Sequence, residues 1–258
     1  MDVRISNISF SYGEAPILRD LSCTFSHGRF HAILGPNGSG KTTLLDIISG
    51  FTSPDNGEIR LGTSGLGTMS RRTAAQTMAL VSQNYAVNFP FTVYEVVLMG
   101  RHPYVDRFSH PTRQDRDLAV NAMSITGITH LKDRKITELS GGEKQRCIFA
   151  RALCQDTPVL LLDEAFSNMD INHTLHLLAL LKKEVVSREK TVIAVLHDLN
   201  LAASWSDTLV FLKDGAIKAR GNTADVFTEQ NIQTVFNVDA KVEFNEYAQA
   251  RQAYFKAS

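Results

Sequence analysis

The sequence predicts an α/β fold organised around a parallel sheet, and three stretches carry that prediction. Phe30 to Leu34 is a short apolar run that passes into the glycine-rich segment Gly35-Pro36-Asn37-Gly38-Ser39-Gly40-Lys41-Thr42. Thr43 to Ser49 then reads as a helix closed by Gly50, so the glycines join a strand to a helix. Val159-Leu160-Leu161-Leu162 is apolar without alternation, as a strand covered on both faces must be, and it ends in Asp163-Glu164. Leu139-Ser140-Gly141-Gly142-Glu143 opens a helical pattern that runs from Glu143 to Cys154.

With 258 residues, 43% hydrophobic and 21% charged, the chain has the composition of an ordinary globular protein with one large core or two lobes. Lys plus Arg and Asp plus Glu both number 27, so no bulk basicity argues for nucleic acid as a partner. Met1-Asp2-Val3-Arg4 carries charge where a signal peptide needs an apolar stretch. The longest charge-free run, Thr73 to Tyr94, is interrupted by Gln76, Gln83, Asn84, Asn88 and Pro90 and does not suit a bilayer. Cys23, Cys147 and Cys154 lack paired spacing and read as small core residues in a reducing compartment.

Taken in order, the N-terminal segment is expected to supply an antiparallel edge. Cys23, His27 and His31 recur every four residues, but Ser26-His27-Gly28-Arg29 reads as a turn between two strands, which does not gather them as metal ligands. In Gly35 to Thr42 the glycines let consecutive backbone N–H groups turn inward around phosphate oxygens. Lys41 reaches the terminal phosphates, the Thr42 hydroxyl is placed to hold Mg²⁺, and the following helix points its positive end at the same anion. Arg113 to Thr126 carries a helical stripe of Leu118, Ala119, Ala122, Met123 and Ile125.

The acids after Leu162 emerge at the carboxyl edge of the sheet, where ligands of open α/β folds bind. Asp163 suits the Mg²⁺ shell, and Glu164 suits polarisation of an attacking water, typically worth about 10²- to 10⁴-fold. Ser140, Gly141 and Gly142 present the N–H groups of a helix start to an anion. His173 and His176, three apart, have no third ligand beside them and read as a solvated or packed face. Thr191 to Leu196 reads as another strand.

With the glycine loop, the Leu139–Glu143 signature and the strand-end acids in this order, the chain resembles the nucleotide-binding subunit of ABC transporters from Val3 to about Val238. The resemblance implies a P-loop NTPase (RecA-like) core with an antiparallel β subdomain and an inserted helical subdomain. Residues 1–84 and 157–258 would form the catalytic α/β lobe, and 85–156 the insert with the signature. It implies ATP and Mg²⁺ as cofactors, with Gly35, Pro36, Asn37, Gly38, Ser39, Gly40, Lys41, Thr42 and Thr43 cradling the nucleotide and Tyr12 stacking on adenine. Gln83 would touch Mg²⁺ and water, Thr42 and Asp163 would hold the metal, and Glu164 and His197 would serve hydrolysis at the γ-phosphate. Ser140, Gly141, Gly142 and Asp170 would act across a head-to-tail homodimer, since the chain carries one cradle and one signature. Ala165 stands where the family usually has Pro directly after the strand-end Glu.

Asn88 to Tyr104 is similar to the matching stretch in ATPases of bacterial importers for iron chelates, haem and vitamin B12, as are His197-Asp198-Leu199-Asn200 and Lys213-Asp214-Gly215. That likeness implies transmembrane permease subunits as partners, a binding protein engaged indirectly, no nucleic acid, and a peripheral place on the cytoplasmic face of the cell membrane. Phe89, Phe91 and Tyr94 read either as a docking surface for a permease helix or as lobe packing. The cargo stays open among iron siderophore, haem, cobalamin and an oxyanion such as molybdate. An exporter subunit and a soluble ABC scaffold are the rival classes.

Overall fold

A computed structural model of the chain describes residues 1–82, 89–167 and 169–256. It resolves into two compact units, Met1–Met69 with Glu184–Ser258, and Ser70–Lys183. The lobe boundaries drawn above follow the chemistry of the motifs, whereas these units follow packing. The first unit opens with β1 (Val3–Tyr12), β2 (Ala15–Phe25), β3 (Phe30–Leu34), α1 (Lys41–Ser49), β4 (Asn56–Leu61) and β5 (Ser64–Gly65). The second holds α2 (Arg71–Thr77), β6 (Met78–Val81), α3 (Val93–Leu98), α4 (Arg113–Ile125), α5 (Gly141–Gln155) and β7 (Val159–Asp163), and α6 (Ile171–Arg188) begins in it. The chain returns to the first unit through β8 (Thr191–Val195), α7 (Leu199–Trp205), β9 (Thr208–Lys213) and β10 (Ala216–Asn222). It ends with α8 (Thr223–Val226), α9 (Glu229–Phe236) and the hairpin β11 (Ala240–Asn245) and β12 (Ala250–Phe255).

In the first unit, β2, β1, β4 and β5 form the expected antiparallel sheet. Its pairing slips between Ile5 and Ile8, where Asn7 takes a φ of 53°. The Asn7 amide donates to Asp20 Oδ1 at 2.8 Å, and Asp20 is itself left-handed at 51°, so each bulged residue fastens the other. A second layer pairs β3 in parallel with both β8 and β9, while β9 and β10 form an antiparallel hairpin. Asp214 and Gly215 turn that hairpin with φ of 52° and 71°, the two positive values that a right-handed twist favours in a two-residue turn. Every residue of β3 and β8 is buried, which is why neither strand alternates in the sequence.

His31 lies inside β3, 1% exposed. Its Nε2 donates to the Ser26 carbonyl at 2.8 Å, and Nδ1 accepts from the Thr208 hydroxyl. Both ring nitrogens are therefore used by the protein, and burial holds the imidazole below its usual pKa and neutral. Cys23, Cys147 and Cys154 are buried thiols, each pushed up to about 12 by burial, and so are packing groups rather than nucleophiles.

In the second unit β6 runs parallel to β7, and α3, α4 and α5 pack on one another. A buried ion pair fastens these helices. Arg101 Nε donates to Asp115 Oδ1 at 2.8 Å, while its Nη1 donates to the carbonyls of Cys154 and Gln155, both at 3.0 Å, at the end of α5. Asp115 Oδ2 accepts the Thr112 N–H and hydroxyl, closing the capping box of α4. Burial alone would raise the Asp115 carboxyl, but the hydrogen bonds from Thr112 and Arg101 outweigh it and hold the group below its usual value. Among the described residues no helix is long and apolar enough to cross a membrane.

Removing one partner of this pair strands the other charge in the interior. Arg101→Ala is expected to destabilise the chain by about 3–5 kcal/mol, seen as a lower urea midpoint, whereas a midpoint unchanged from wild type would show that the pair contributes nothing net.

Candidate functional site

The segment between β3 and α1 owes its shape to missing side chains. A Cβ at Gly35 would stand 2.1 Å from the Leu212 carbonyl oxygen, and one at Gly40 would stand 2.6 Å from Leu18 Cδ2. Gly38 and Gly40 take φ of 77° and 97°, which L-residues rarely adopt. The loop thus lies against β9 on one side and β2 on the other. Lys41 Nζ arches back over it, donating to the carbonyls of Gly35 at 3.0 Å and Pro36 at 2.9 Å. Lys41 is buried, Thr42 is exposed and Thr43 is buried, so the Thr42 side chain faces outward from the helix start.

Gly40 caps α1 without any side-chain hydrogen bond, and Ser39 Oγ is buried with no hydrogen-bond partner. A helix start without a side-chain cap, a buried hydroxyl without a partner and an ammonium drawn back over the loop form the donor set that polyphosphate satisfies. The helix begins at Lys41 rather than Thr43 because Gly40, left-handed, completes the turn into it.

Tyr12 ends β1 opposite Ala15 and lies 58% exposed, its ring edge-on to Phe10 at 4.8 Å. Gly40 packs near Ile17 and Leu18, so Tyr12 and the glycine loop share one end of the β1–β2 hairpin. His197 follows β8, whose Val195 pairs with Ile33 at the end of β3. The loop and His197 therefore leave neighbouring parallel strands at their carboxyl ends, and His197 is exposed.

The second unit assembles its own set. Ser140 caps α5 in a capping box: its hydroxyl donates to Glu143 Oε2 at 2.7 Å and its N–H to the same oxygen at 2.8 Å. Those bonds hold the Glu143 carboxyl below its usual value. They also explain why Gly141 and Gly142 belong to the helix, which starts two residues before the apolar pattern does. A Cβ at Gly141 would meet nothing within 4 Å, so the face above the helix start is open.

Asp163 ends β7 at 4% exposure, and Glu164 directly follows with φ of 48°. A left-handed glutamate costs roughly 1–2 kcal/mol, the kind of strain that concentrates at functional positions. Ser167 N–H donates to the Glu164 carbonyl at 3.1 Å, Ala165 is wholly buried, and Phe166 packs on Phe149 of α5 at 6.1 Å. Asp170 Oδ1 then accepts the His173 N–H at 2.9 Å at the start of α6, and Oδ2 accepts His173 Nδ1–H at 2.7 Å. Hydrogen bonds from His173 hold the Asp170 carboxyl below its usual value.

Within the first unit the structure brings together Gly35 to Thr43, Tyr12 and His197; within the second it places Ser140, Gly141, Gly142, Asp163, Glu164 and Asp170. Gln83 lies outside the described residues. His173 was not expected among them: its Nε2 meets Arg146 Nη1 on α5, so this imidazole ties Asp170 to the signature helix. The signal was present, since Asp170 and His173 stand at the cap-to-third-residue spacing that reciprocal capping uses. His176 instead donates from Nε2 to the Ile125 carbonyl at 2.9 Å from an exposed position.

Comparison with known proteins gives a consistent result. The ABC transporter family profile matches residues 18–167. The hemin import ATP-binding protein of Bordetella pertussis is 38% identical over 250 residues, 94% of each chain. The ferric enterobactin transport ATP-binding protein of Escherichia coli is 35% identical over 92% of this chain and 87% of that one. The cobalamin import ATP-binding protein of Halobacterium salinarum is 37% identical over 94% of this chain and 60% of that one. Among solved structures, a metal-chelate type ABC transporter in an inward-facing conformation superposes with a TM-score of 0.83 at 27% identity, covering 98% of this chain and 96% of that one. A dimeric post-hydrolysis ATP-binding cassette with ADP and Pi bound superposes at 0.78 and 27% identity, over 86% of this chain and 98% of that one.

The glycine loop yields a direct check. Gly35→Ala is expected to weaken binding of a fluorescent ATP analogue about tenfold or more, because the loop must move away from Leu212. An unchanged dissociation constant would show that the close approach does not shape the cradle.

Proposed function

The chain belongs to the ABC transporter family, and from that premise we propose that it is the ATP-hydrolysing subunit that powers import of an iron chelate, haem or vitamin B12. The observation that carries the reading is the loop from Gly35 to Thr42, where the Gly35 approach to Leu212, the orphaned Ser39 hydroxyl and the arched Lys41 together form a polyphosphate seat. The relatives matched over most of their length serve hemin import and ferric enterobactin transport, which supports the cargo class.

In this reading Gly35, Pro36, Asn37, Gly38, Ser39, Gly40, Lys41, Thr42 and Thr43 hold the triphosphate, with backbone N–H groups and the Lys41 ammonium offsetting its charge. Tyr12 offers its exposed ring to the adenine. Thr42 and Asp163, with Gln83, are the oxygen donors for Mg²⁺, which when bound neutralises charge on the phosphates. Glu164 accepts a hydrogen bond from the attacking water and polarises it, and His197 contacts the γ-phosphate.

Ser140, Gly141 and Gly142 supply donors to the nucleotide of a second copy, with Asp170 at the same interface, so the working form is a homodimer. The dimeric relative bound to ADP and Pi supports that arrangement. Closure and reopening of the pair would move permease subunits in the membrane, against whose cytoplasmic face the chain rests. A substrate-binding protein delivers the cargo on the other side without touching this chain.

Glu164→Gln keeps shape and hydrogen bonding but removes the basic carboxylate. Its turnover should fall by about 10²- to 10⁴-fold while ATP drives a dimer detectable by sedimentation. Near-normal phosphate release would remove Glu164 from the role of polarising water.

A further inference from the structure

The sequence motif His197-Asp198-Leu199-Asn200 ends in a residue that the ATPase reading leaves without work. The structure shows what Asn200 touches. Its Oδ1 accepts the Ala253 N–H at 2.7 Å, and its Nδ2 donates to the Ala253 carbonyl at 3.2 Å. A side-chain amide thus pairs with both polar groups of one backbone residue, as a neighbouring strand would.

Ala253 sits opposite Val242 in the β11–β12 hairpin. The Ala253 N–H points out of the hairpin toward Asn200, and the Val242 N–H points out of the other edge to Glu229 Oε1 at 3.0 Å. A two-stranded hairpin is marginal in water by itself, and its open edges need partners. Here α9 satisfies one edge and α7 the other. Gln252 adds a bond to Ser204 Oγ on α7 at 3.0 Å, and Ala250 and Ala253 are buried.

What α7 governs is His197. The Leu196 N–H donates to the Ile33 carbonyl at 3.3 Å, so the end of β8 is fixed on β3. Asp198 caps α7, its Oδ1 accepting the N–H groups of Asn200 at 2.8 Å and Leu201 at 2.9 Å. His197 is the one residue between these two anchors, so its backbone direction follows the placement of α7.

We propose that the C-terminal hairpin is a brace for catalysis: through Asn200 it holds α7, and α7 holds His197 in position. Asn200 is a positioning residue, remote from nucleotide. The proposal rests on the role given above to His197, and the test separates the two.

Steady-state ATP hydrolysis, thermal melting and fluorescent-nucleotide binding are measured on the full chain as wild type, N200A, H197A and N200A/H197A. The brace predicts that N200A lowers kcat about tenfold, with KM and the nucleotide dissociation constant changed by less than about twofold. It also predicts that the double variant is no slower than H197A, because both changes remove one function. A wild-type kcat in N200A, or losses that multiply in the double variant, would overturn it. Normal turnover in H197A would sink the assignment of His197 itself, whatever N200A does. Should N200A melt early, Asn200→Asp decides the matter: it keeps the acceptor for the Ala253 N–H and loses the donor. An intermediate kcat supports the brace, and a wild-type kcat refutes it.

Discussion

Turning successive peptide N–H groups toward one anion requires a chain without Cβ atoms where it crowds its neighbours. Gly35 and Gly40 meet that requirement against different strands. The rest of the first unit follows from it. β9 must stand close enough for the Leu212 carbonyl to touch the loop, and β2 must bring Ile17 and Leu18 under Gly40. The Asp214-Gly215 turn makes both possible: a Cβ at Gly215 would lie 2.1 Å from the Ile17 carbonyl, so the tip of β9–β10 is pressed on β2. Gly35 and Gly215 are required where backbone meets backbone, and Gly40, whose nearest neighbour is the Leu18 side chain, by its φ of 97°.

The second unit solves a different problem, that of holding helix ends rather than bending a loop. Capping boxes close α3, α4 and α5 at Thr92, Thr112 and Ser140, each with an acid at the third helical position. At α4 the acid, Asp115, is shared with Arg101 and thereby with the end of α5. The signature helix is consequently fixed at its C-terminus by a buried charge, and along its length by Phe149 against Phe166 and Arg146 against His173. The last two contacts reach the segment that follows β7, so the residues from Glu164 to His173 meet α5 at two places.

Strands β3, β7 and β8 were legible to within a residue because a buried parallel strand leaves an uninterrupted apolar run, which gives way to Gly35 after β3, to Asp163-Glu164 at the end of β7 and to His197 after β8. The cradle, the acids and the signature were legible because their chemistry depends on residue type at short spacing. The bulge at Asn7 and Asp20 was not, since it arises from pairing between strands and has no local period. His173 escaped for a related reason: its acceptor is three residues away, but its second partner lies on α5, 27 positions earlier. The role of Arg101 needed the tertiary fold as well, because its carbonyl acceptors stand more than fifty positions along the chain. Contacts of this kind are invisible to any window of the sequence.

Ala165 bears on Glu164, a strand-end acid whose backbone is left-handed. Proline disfavours helical φ and ψ in the residue before it and drives that residue to extended conformations. A proline after Glu164, usual in the family, would oppose a φ of 48°; alanine removes that opposition and leaves only the intrinsic left-handed penalty of roughly 1–2 kcal/mol. What offsets the penalty is visible around it. Ala165 is fully buried, the Glu164 carbonyl receives the Ser167 N–H, and Phe166 is packed on the signature helix. The departure at 165 therefore exchanges a stiff ring for a small buried methyl, and the task of aiming Glu164 passes from local covalent geometry to packing against α5.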